Sequence, residues 1–108
     1  MPIYNKLVRD LIPQVIEKSE GKFTTRILDK SEHLTEIKNK LHEEVKEFQE
    51  SENRLDALEE LADILELIHA ALPIHEATYD ELEKIRIAKK EKRGGFEEGI
   101  FLIEVGDE

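Results

Sequence analysis

The strongest pattern along the chain is a stripe of apolar residues that repeats with helical spacing between about Glu32 and Glu52. Its members lie three, four, four and three positions apart, on one face of an α-helix: Leu34, Ile37, Leu41, Val45 and Phe48. Ser31 is the predicted N-cap, and Glu32 suits the positive end of the helix dipole. The pattern therefore predicts one long amphipathic helix.

A second stripe follows a short polar break and predicts a helix from the N-cap Asn53 to about Leu72, ended by Pro73. Its main apolar residues, which we expect to face the core, are Leu58, Leu61, Leu65, Ile68 and Leu72. Further apolar residues are spread around the remaining circumference: Leu55, Ile64 and Leu67. The short connection makes the two helices antiparallel neighbours.

The pattern continues with one more helix near the C-terminal end. Thr78 followed by Glu81 is a capping-box signature, and it predicts a helix from Tyr79 to about Arg93. Gly94 then supplies the residue type that suits a left-handed stop at the end of that helix.

The first third of the chain has weaker signals. A short helix over Leu11–Lys18 is predicted with Asp10 as its cap, and Pro13 is tolerated in its first turn, where amides lack partners. Phe23–Leu28 and Ile100–Val105 are apolar and β-branched enough for short strands, which would pair as a minor two-stranded β-ribbon. The predicted fold is otherwise all-α, an antiparallel helical bundle.

Length and composition narrow the classes of protein. A chain of 108 residues is long enough for one core, so a single domain over residues 1–108 is expected. The net charge of −10 argues against a nucleic-acid polymer as partner, although a single nucleotide bound through metal ions remains compatible. Without cysteine, disulfides and thiolate metal sites are excluded. No membrane span or signal peptide is visible, so a cytoplasmic protein without a membrane partner is expected.

Acidic residues of the first long helix fall into two sets on a helical wheel. With Leu41 at zero, the apolar stripe spans about −40° to +40°. Glu44 lies near −60° and Glu47 near −120°, on one flank of this stripe. Glu43 and Glu50 lie close to 180°, on the predicted solvent side.

The second long helix carries two acids within an apolar face. With Leu61 at zero, Glu60 lies near −100° and Asp63 near −160°, beside Ile64 and Leu67. No Lys or Arg at helical spacing compensates them, and an unpaired buried carboxylate is very costly. A divalent cation is the simplest compensation.

Two such pairs at i, i+3 spacing on facing helices predict one oxygen-only metal site. Its four ligands are Glu44, Glu47, Glu60 and Asp63. Oxygen ligation suits Mg²⁺, with Mn²⁺ as a substitute. A di-iron site would need two Glu-x-x-His turns, and Glu66 with His69 forms a single one. Lys40 lies on the metal flank of its helix, beside Glu44.

Three blocks of the sequence, in order, resemble a known family. Glu43–Glu47 and, after twelve residues, Glu60–Asp63 resemble the EExxE…ExxD motif of MazG-like nucleotide pyrophosphohydrolases. Tyr4–Asp10 and Arg93–Phe96 resemble a compact branch of that group, the all-α NTP pyrophosphatase superfamily, in which phosphoribosyl-ATP pyrophosphohydrolase is a relative. The resemblance covers essentially the whole chain.

The resemblance implies Mg²⁺-dependent hydrolysis of a nucleoside triphosphate to the monophosphate and pyrophosphate, as in house-cleaning of non-standard nucleotides. The family's metal ligands fall on the four acids that the wheel selects. Lys6, Arg9 and Arg93 would bind the nucleotide substrate. Lys40, on the metal flank, would contact its phosphate, and Glu47 would accept the proton of the attacking water. Two other readings stay open: a catalytically inactive interaction module that retains the metal site, and a protein that senses nucleotides without hydrolysing them.

Assembly is the last expectation from the sequence. A helix that is apolar on more than one side is normally covered on more than one side, and a chain this short has few elements to provide the cover. A homodimer or higher homo-oligomer is therefore expected. The resembled family also builds its active sites from paired subunits.

Overall fold

The computed structural model describes residues 2–107, and the regular secondary structure in this range consists of helices, with no strand. It contains four helices: α1 (Ile12–Lys18), α2 (Lys30–Glu50), α3 (Arg54–Ile74) and α4 (Tyr79–Arg93). The predicted all-α class is confirmed. The chain divides into two compact units, the first ending at Glu76 and the second beginning at Ala77, so that one domain over residues 1–108 stays a prediction.

The first unit is built on the antiparallel pair of α2 and α3. A link of three residues, 51–53, joins the helices, and Asn53 caps α3 by accepting the amide of Asp56 at 2.9 Å. The predicted cap is therefore confirmed. Ile37 of α2 is fully buried, and it is the one apolar side chain among the described residues to be so. The second unit holds α4, which Thr78 caps through the amide of Glu81, also as predicted.

Several helix ends differ from their predicted positions. The cap of α2 is Asp29 and not Ser31, because the Asp29 carboxylate accepts the amide of Glu32 at 2.8 Å and the helix starts earlier. The helix α3 continues through Pro73 to Ile74. Pro73 has no amide to donate to the backbone carbonyl four residues earlier, so the last turn of α3 forms with one helix hydrogen bond fewer.

The N-terminal predictions need similar corrections. Leu11, and not Asp10, occupies the N-cap position of α1, and it makes no side-chain cap. Phe23–Leu28 and Ile100–Val105 are not strands in the structure. An extended segment becomes a strand only where a neighbour bonds its backbone, and neither segment has ladder hydrogen bonds within residues 2–107. Their β-branched composition alone does not supply that partner.

The apolar residues of α3 follow the prediction only in part: Ile68 and Leu72, predicted as core, are half-buried, and three other predicted core residues are not. Ile64 and Leu67 are half-buried, on the same face as the two acids that approach α2. Leu58, Leu61 and Leu65, predicted as core, are exposed by 44 to 46%. Periodicity locates both faces, but the geometry of the short link decides which face meets α2. No helix in the described part of the chain has the length and apolar character that crossing a bilayer requires.

Asn53→Ala is expected to lower the free energy of unfolding by about 1 kcal/mol, because it removes the side-chain cap of α3. Urea unfolding followed by circular dichroism measures the change, and Asn53→Asp should retain most of the stability. Asn39→Ala is the matched control, because Asn39 lies inside α2 and alanine is the better helix former there. Equal losses from Asn53→Ala and Asn39→Ala would contradict the capping role.

Candidate metal centre

Carboxyl groups from α2 and α3 meet where the two helices face each other. Oxygens of Glu44, Glu60 and Asp63 all lie within 4.8 Å of one another. A second group within the same distance contains Glu43, Glu44 and Glu47, so Glu44 belongs to both groups. The structure therefore brings the four predicted ligands into one patch, and their role as metal ligands stays a prediction. The two groups together contain five acids, which we call the carboxylate cluster: Glu43, Glu44, Glu47, Glu60 and Asp63.

Burial at the cluster is uneven. Glu44 is only 5% exposed, as expected for an acid predicted at the edge of the core. The Oε2 atoms of Glu44 and Glu60 are both buried and have no hydrogen-bond partner within the described residues. Glu47 is exposed, although the wheel placed it on the flank of the apolar stripe. The arrangement leaves two carboxylate oxygens inside the protein without a donor.

Proximity and burial change the acidity of the two central carboxyl groups. Burial is the largest cause that raises the pKa of Glu44, and together with hydrogen bonding to Glu60 and Glu47 and the charges of Glu47 and Asp63 it brings this pKa to about 8. The hydrogen bond from Glu44 lowers the pKa of Glu60, but burial and the same neighbours outweigh it, so this pKa is raised as well. The metal-free cluster therefore holds a proton near neutral pH.

Three basic side chains reach the cluster, and two of them come from the segment before α1. Arg9 Nη2 donates to Asp63 Oδ1, and this bond raises the pKa of Arg9. Lys6 Nζ lies 3.8 Å from Glu43 Oε1. The ammonium of Lys40, one turn before the acids of α2, lies 3.2 Å from Glu43 Oε2 and 3.6 Å from Glu44 Oε1.

Helical spacing could not reveal Lys6 and Arg9 as partners of the cluster, because they lie outside both long helices. The resemblance named them as substrate contacts, and the structure places both at the acids. Glu43 also differs from the prediction of a solvent-facing side chain, since it is half-buried and paired with both lysines. Arg93 ends α4 in the second unit, and its contact with substrate stays a prediction.

A small polar cavity adjoins the cluster at Glu43. Its volume is about 210 Å³, and its lining includes Lys6, Lys40 and the amides of Asn5 and Asn39. Asn5 has a φ of 44°, in the left-handed region that asparagine adopts more readily than most residues. The cavity offers two cations and two amides beside the carboxylates.

The residues of the cluster fit a divalent cation. Oxygen is the ligand atom that Mg²⁺ and Mn²⁺ prefer, and every member of the cluster offers a carboxylate. The buried Oε2 atoms of Glu44 and Glu60 have no hydrogen-bond donor, and a bound cation would compensate for this. Comparison with family models, with curated proteins and with solved structures found no match to this chain.

The stability of the metal-free protein is expected to fall as the pH rises from about 5 to about 8. In this window folded Glu44 keeps a proton that its unfolded form, with an ordinary value of 4.5, has already released. The folded state therefore binds more protons, and raising the pH favours unfolding. Thermal melts in EDTA across this range measure the effect.

Glu44→Gln should flatten this pH dependence, because glutamine keeps the shape of protonated glutamate and does not ionise. Glu59→Gln, at an exposed position of α3, should leave it unchanged. Millimolar Mg²⁺ should raise the melting temperature, and more so at pH 8, because ligation needs ionised carboxylates. Melting temperatures that ignore both pH and Mg²⁺ would contradict a preformed site.

Proposed function

We propose that this chain is a Mg²⁺-dependent nucleotide pyrophosphohydrolase that cleaves a nucleoside triphosphate, or a related nucleotide, to the monophosphate and pyrophosphate. The observation that carries the proposal is the cluster itself: a nine-tenths buried carboxyl group with an unpartnered oxygen, packed against further acids. Three cations border it. Acids to hold a divalent cation and cations to hold phosphate are the two requirements of phosphoryl chemistry.

Each part of the site has a distinct task in this reaction. Glu44, Glu47, Glu60 and Asp63 would hold Mg²⁺, which when bound supplies positive charge to the phosphates and lowers the pKa of a water. Lys6, Arg9 and Lys40 bind and orient the phosphate oxygens. Water attacks the α-phosphorus and the bond from this phosphorus to the bridging oxygen breaks, so that pyrophosphate leaves. Glu47, the exposed acid of the four, accepts the proton of the water.

The sequence resemblance supports the same reaction, since two of its three blocks supply the acids of both helices and the Lys6–Arg9 segment that lies at the cluster. The test is pyrophosphate release with Mg²⁺ across a panel of ribonucleotides, deoxynucleotides and modified nucleoside triphosphates. Nucleotide binding without turnover would identify a sensor instead. Neither binding nor turnover would leave an interaction module that has kept a metal site.

Replacing Glu47, Glu60 or Asp63 by alanine is expected to abolish Mg²⁺-dependent hydrolysis while the helices remain folded. Each change removes a predicted ligand and relieves repulsion between carboxylates in the metal-free protein. Glu43→Ala is the control and should be far milder, because its side chain is already neutralised by Lys6 and Lys40. Turnover and circular dichroism are measured on the same preparations. Near wild-type turnover in all three ligand variants would show that the site is assigned wrongly.

We infer further that two or more copies of the chain associate through the exposed leucine face of α3. Leu58, Leu61 and Leu65 are exposed and lie three and four residues apart, the spacing of a helix-pairing seam. Leu55 of α3 and Phe48 of α2 are also exposed. A row of exposed leucines along one helix favours an interaction surface, and such a row can pair with the same row of a second copy across a twofold axis.

Light scattering at micromolar concentration should give a mass of at least two chains. Leu65→Glu should reduce this mass towards that of one chain, because the substitution places charges in the seam. Ile27→Glu is the control, since Ile27 is 96% exposed and lies outside the helices. A mass of one chain for the active wild-type protein would contradict the proposal.

A further inference from the structure

We propose that the Arg9 guanidinium neutralises Asp63 of the carboxylate cluster before metal binding. When a divalent cation binds, the guanidinium turns from Asp63 to a substrate phosphate. The inference rests on the proposed function and adds a coupling between metal and substrate that the reaction alone does not require. It follows from three features of the structure: the position of Arg9, the position of Asp63, and the division of the cations between the two helices.

Arg9 approaches the cluster from outside both long helices. Its Nη2 atom donates to Asp63 Oδ1 at 2.5 Å, and the two residues lie 54 positions apart. The backbone of Arg9 is held at the start of α1, where its carbonyl accepts the amide of Ile12 at 3.0 Å. The Arg9 side chain remains 60% exposed, so that the guanidinium can turn while its backbone stays in place.

The Asp63 carboxylate is a ligand for two cations, the Arg9 guanidinium and the proposed metal ion. Its carboxylate is one of the three that lie within 4.8 Å of one another and are suited to a metal ion. The same carboxylate carries the hydrogen bond from Arg9. A divalent cation placed among these oxygens repels the guanidinium and competes for the same lone pairs. Metal ligation by Asp63 therefore weakens or breaks the bond to Arg9.

The lysines at the cluster do not share this position. Lys6 and Lys40 pair with Glu43 and Glu44 on α2, whereas Arg9 pairs with Asp63 on α3. Arginine also differs in chemistry, because its planar fork of donors matches two phosphate oxygens at once. A guanidinium released at Asp63 lies beside the place where the metal ion would hold the phosphates. Arg9 can thus neutralise the metal-free cluster and then bind the substrate phosphate once the metal is bound.

This exchange makes metal and substrate binding cooperative. A metal ion frees the guanidinium for phosphate, and a phosphate that binds the guanidinium frees Asp63 for the metal. By thermodynamic linkage, each ligand raises the affinity for the other by the same factor. Removing the guanidinium should therefore strengthen binding of the metal alone and weaken binding of the nucleotide.

The experiment is calorimetric titration of the full chain with Mn²⁺ alone, without nucleotide. Arg9→Gln should bind Mn²⁺ about two- to fivefold more tightly than the wild type, the size expected from removing an exposed ion pair. It should also raise KM for the nucleotide in the hydrolysis assay. Arg26→Gln is the matched control, because Arg26 makes a similar bond to Glu32, at 2.8 Å, away from the cluster.

Arg9→Lys separates charge from shape. It keeps the positive charge and should leave Mn²⁺ affinity near that of the wild type, while KM rises because the planar fork is lost. In the wild type, Mg²⁺ should shift the nuclear magnetic resonance signal of the Arg9 Nε–H group and leave that of Arg26 in place. This second measurement needs no substitution.

The outcomes distinguish this inference from the proposed function. The exchange is overturned if the wild type binds Mn²⁺ and Arg9→Gln binds it equally or more weakly. It is also overturned if Mg²⁺ leaves the Arg9 signal unchanged. Either result leaves the hydrolase proposal standing. Absence of Mn²⁺ binding in both proteins overturns the metal site and the exchange with it. If Arg9 contributed to folding alone, Arg9→Gln would lower the melting temperature and would not tighten Mn²⁺ binding.

Discussion

Burial of the Glu44 carboxyl group between α2 and α3 constrains the first unit more than any other single interaction. A carboxylate in that position needs a proton, a cation or a donor, because desolvation penalises its charge. The carboxyl group keeps a proton near neutral pH, Lys40 lies 3.6 Å away, and further acids nearby could bind a divalent ion together with it. The pairing of the two helices and the chemistry of the cluster therefore depend on the same contact.

The inward position of the acids also determines where the leucines of α3 lie. A helix has one face towards its neighbour, and in α3 that face carries Glu60 and Asp63 with Ile64 and Leu67 between and beside them. The regular stripe of Leu58, Leu61 and Leu65 is consequently turned outward. An acidic site on the inner face and an apolar surface on the outer face are two results of one rotation of the helix. Changes that rotate α3 should affect both surfaces together.

Helical periodicity predicted the class, the three longest helices and the convergence of Glu44, Glu60 and Asp63, because these depend on local spacing and on a short connection. It wrongly predicted Leu58, Leu61 and Leu65 of α3 as core, since a wheel gives relative angles within one helix and no information on its neighbour. It also missed the pairing of Arg9 with Asp63 and of Lys6 with Glu43. These contacts join residues far apart in the chain, and only the folded backbone brings them together.

Ile37 gives the first unit an uneven distribution of local stability. It is fully buried in the middle of α2, and Glu44 lies seven residues further along the same helix. Backbone amides there should exchange with solvent most slowly, since the opening of a segment becomes rarer as its burial increases. Lys6 and Arg9 precede α1, in a segment without regular backbone hydrogen bonding, where exchange should be fast. Glu44 and Lys40 thus lie in the slowest-exchanging region, while Lys6 and Arg9 belong to a segment that should exchange fast.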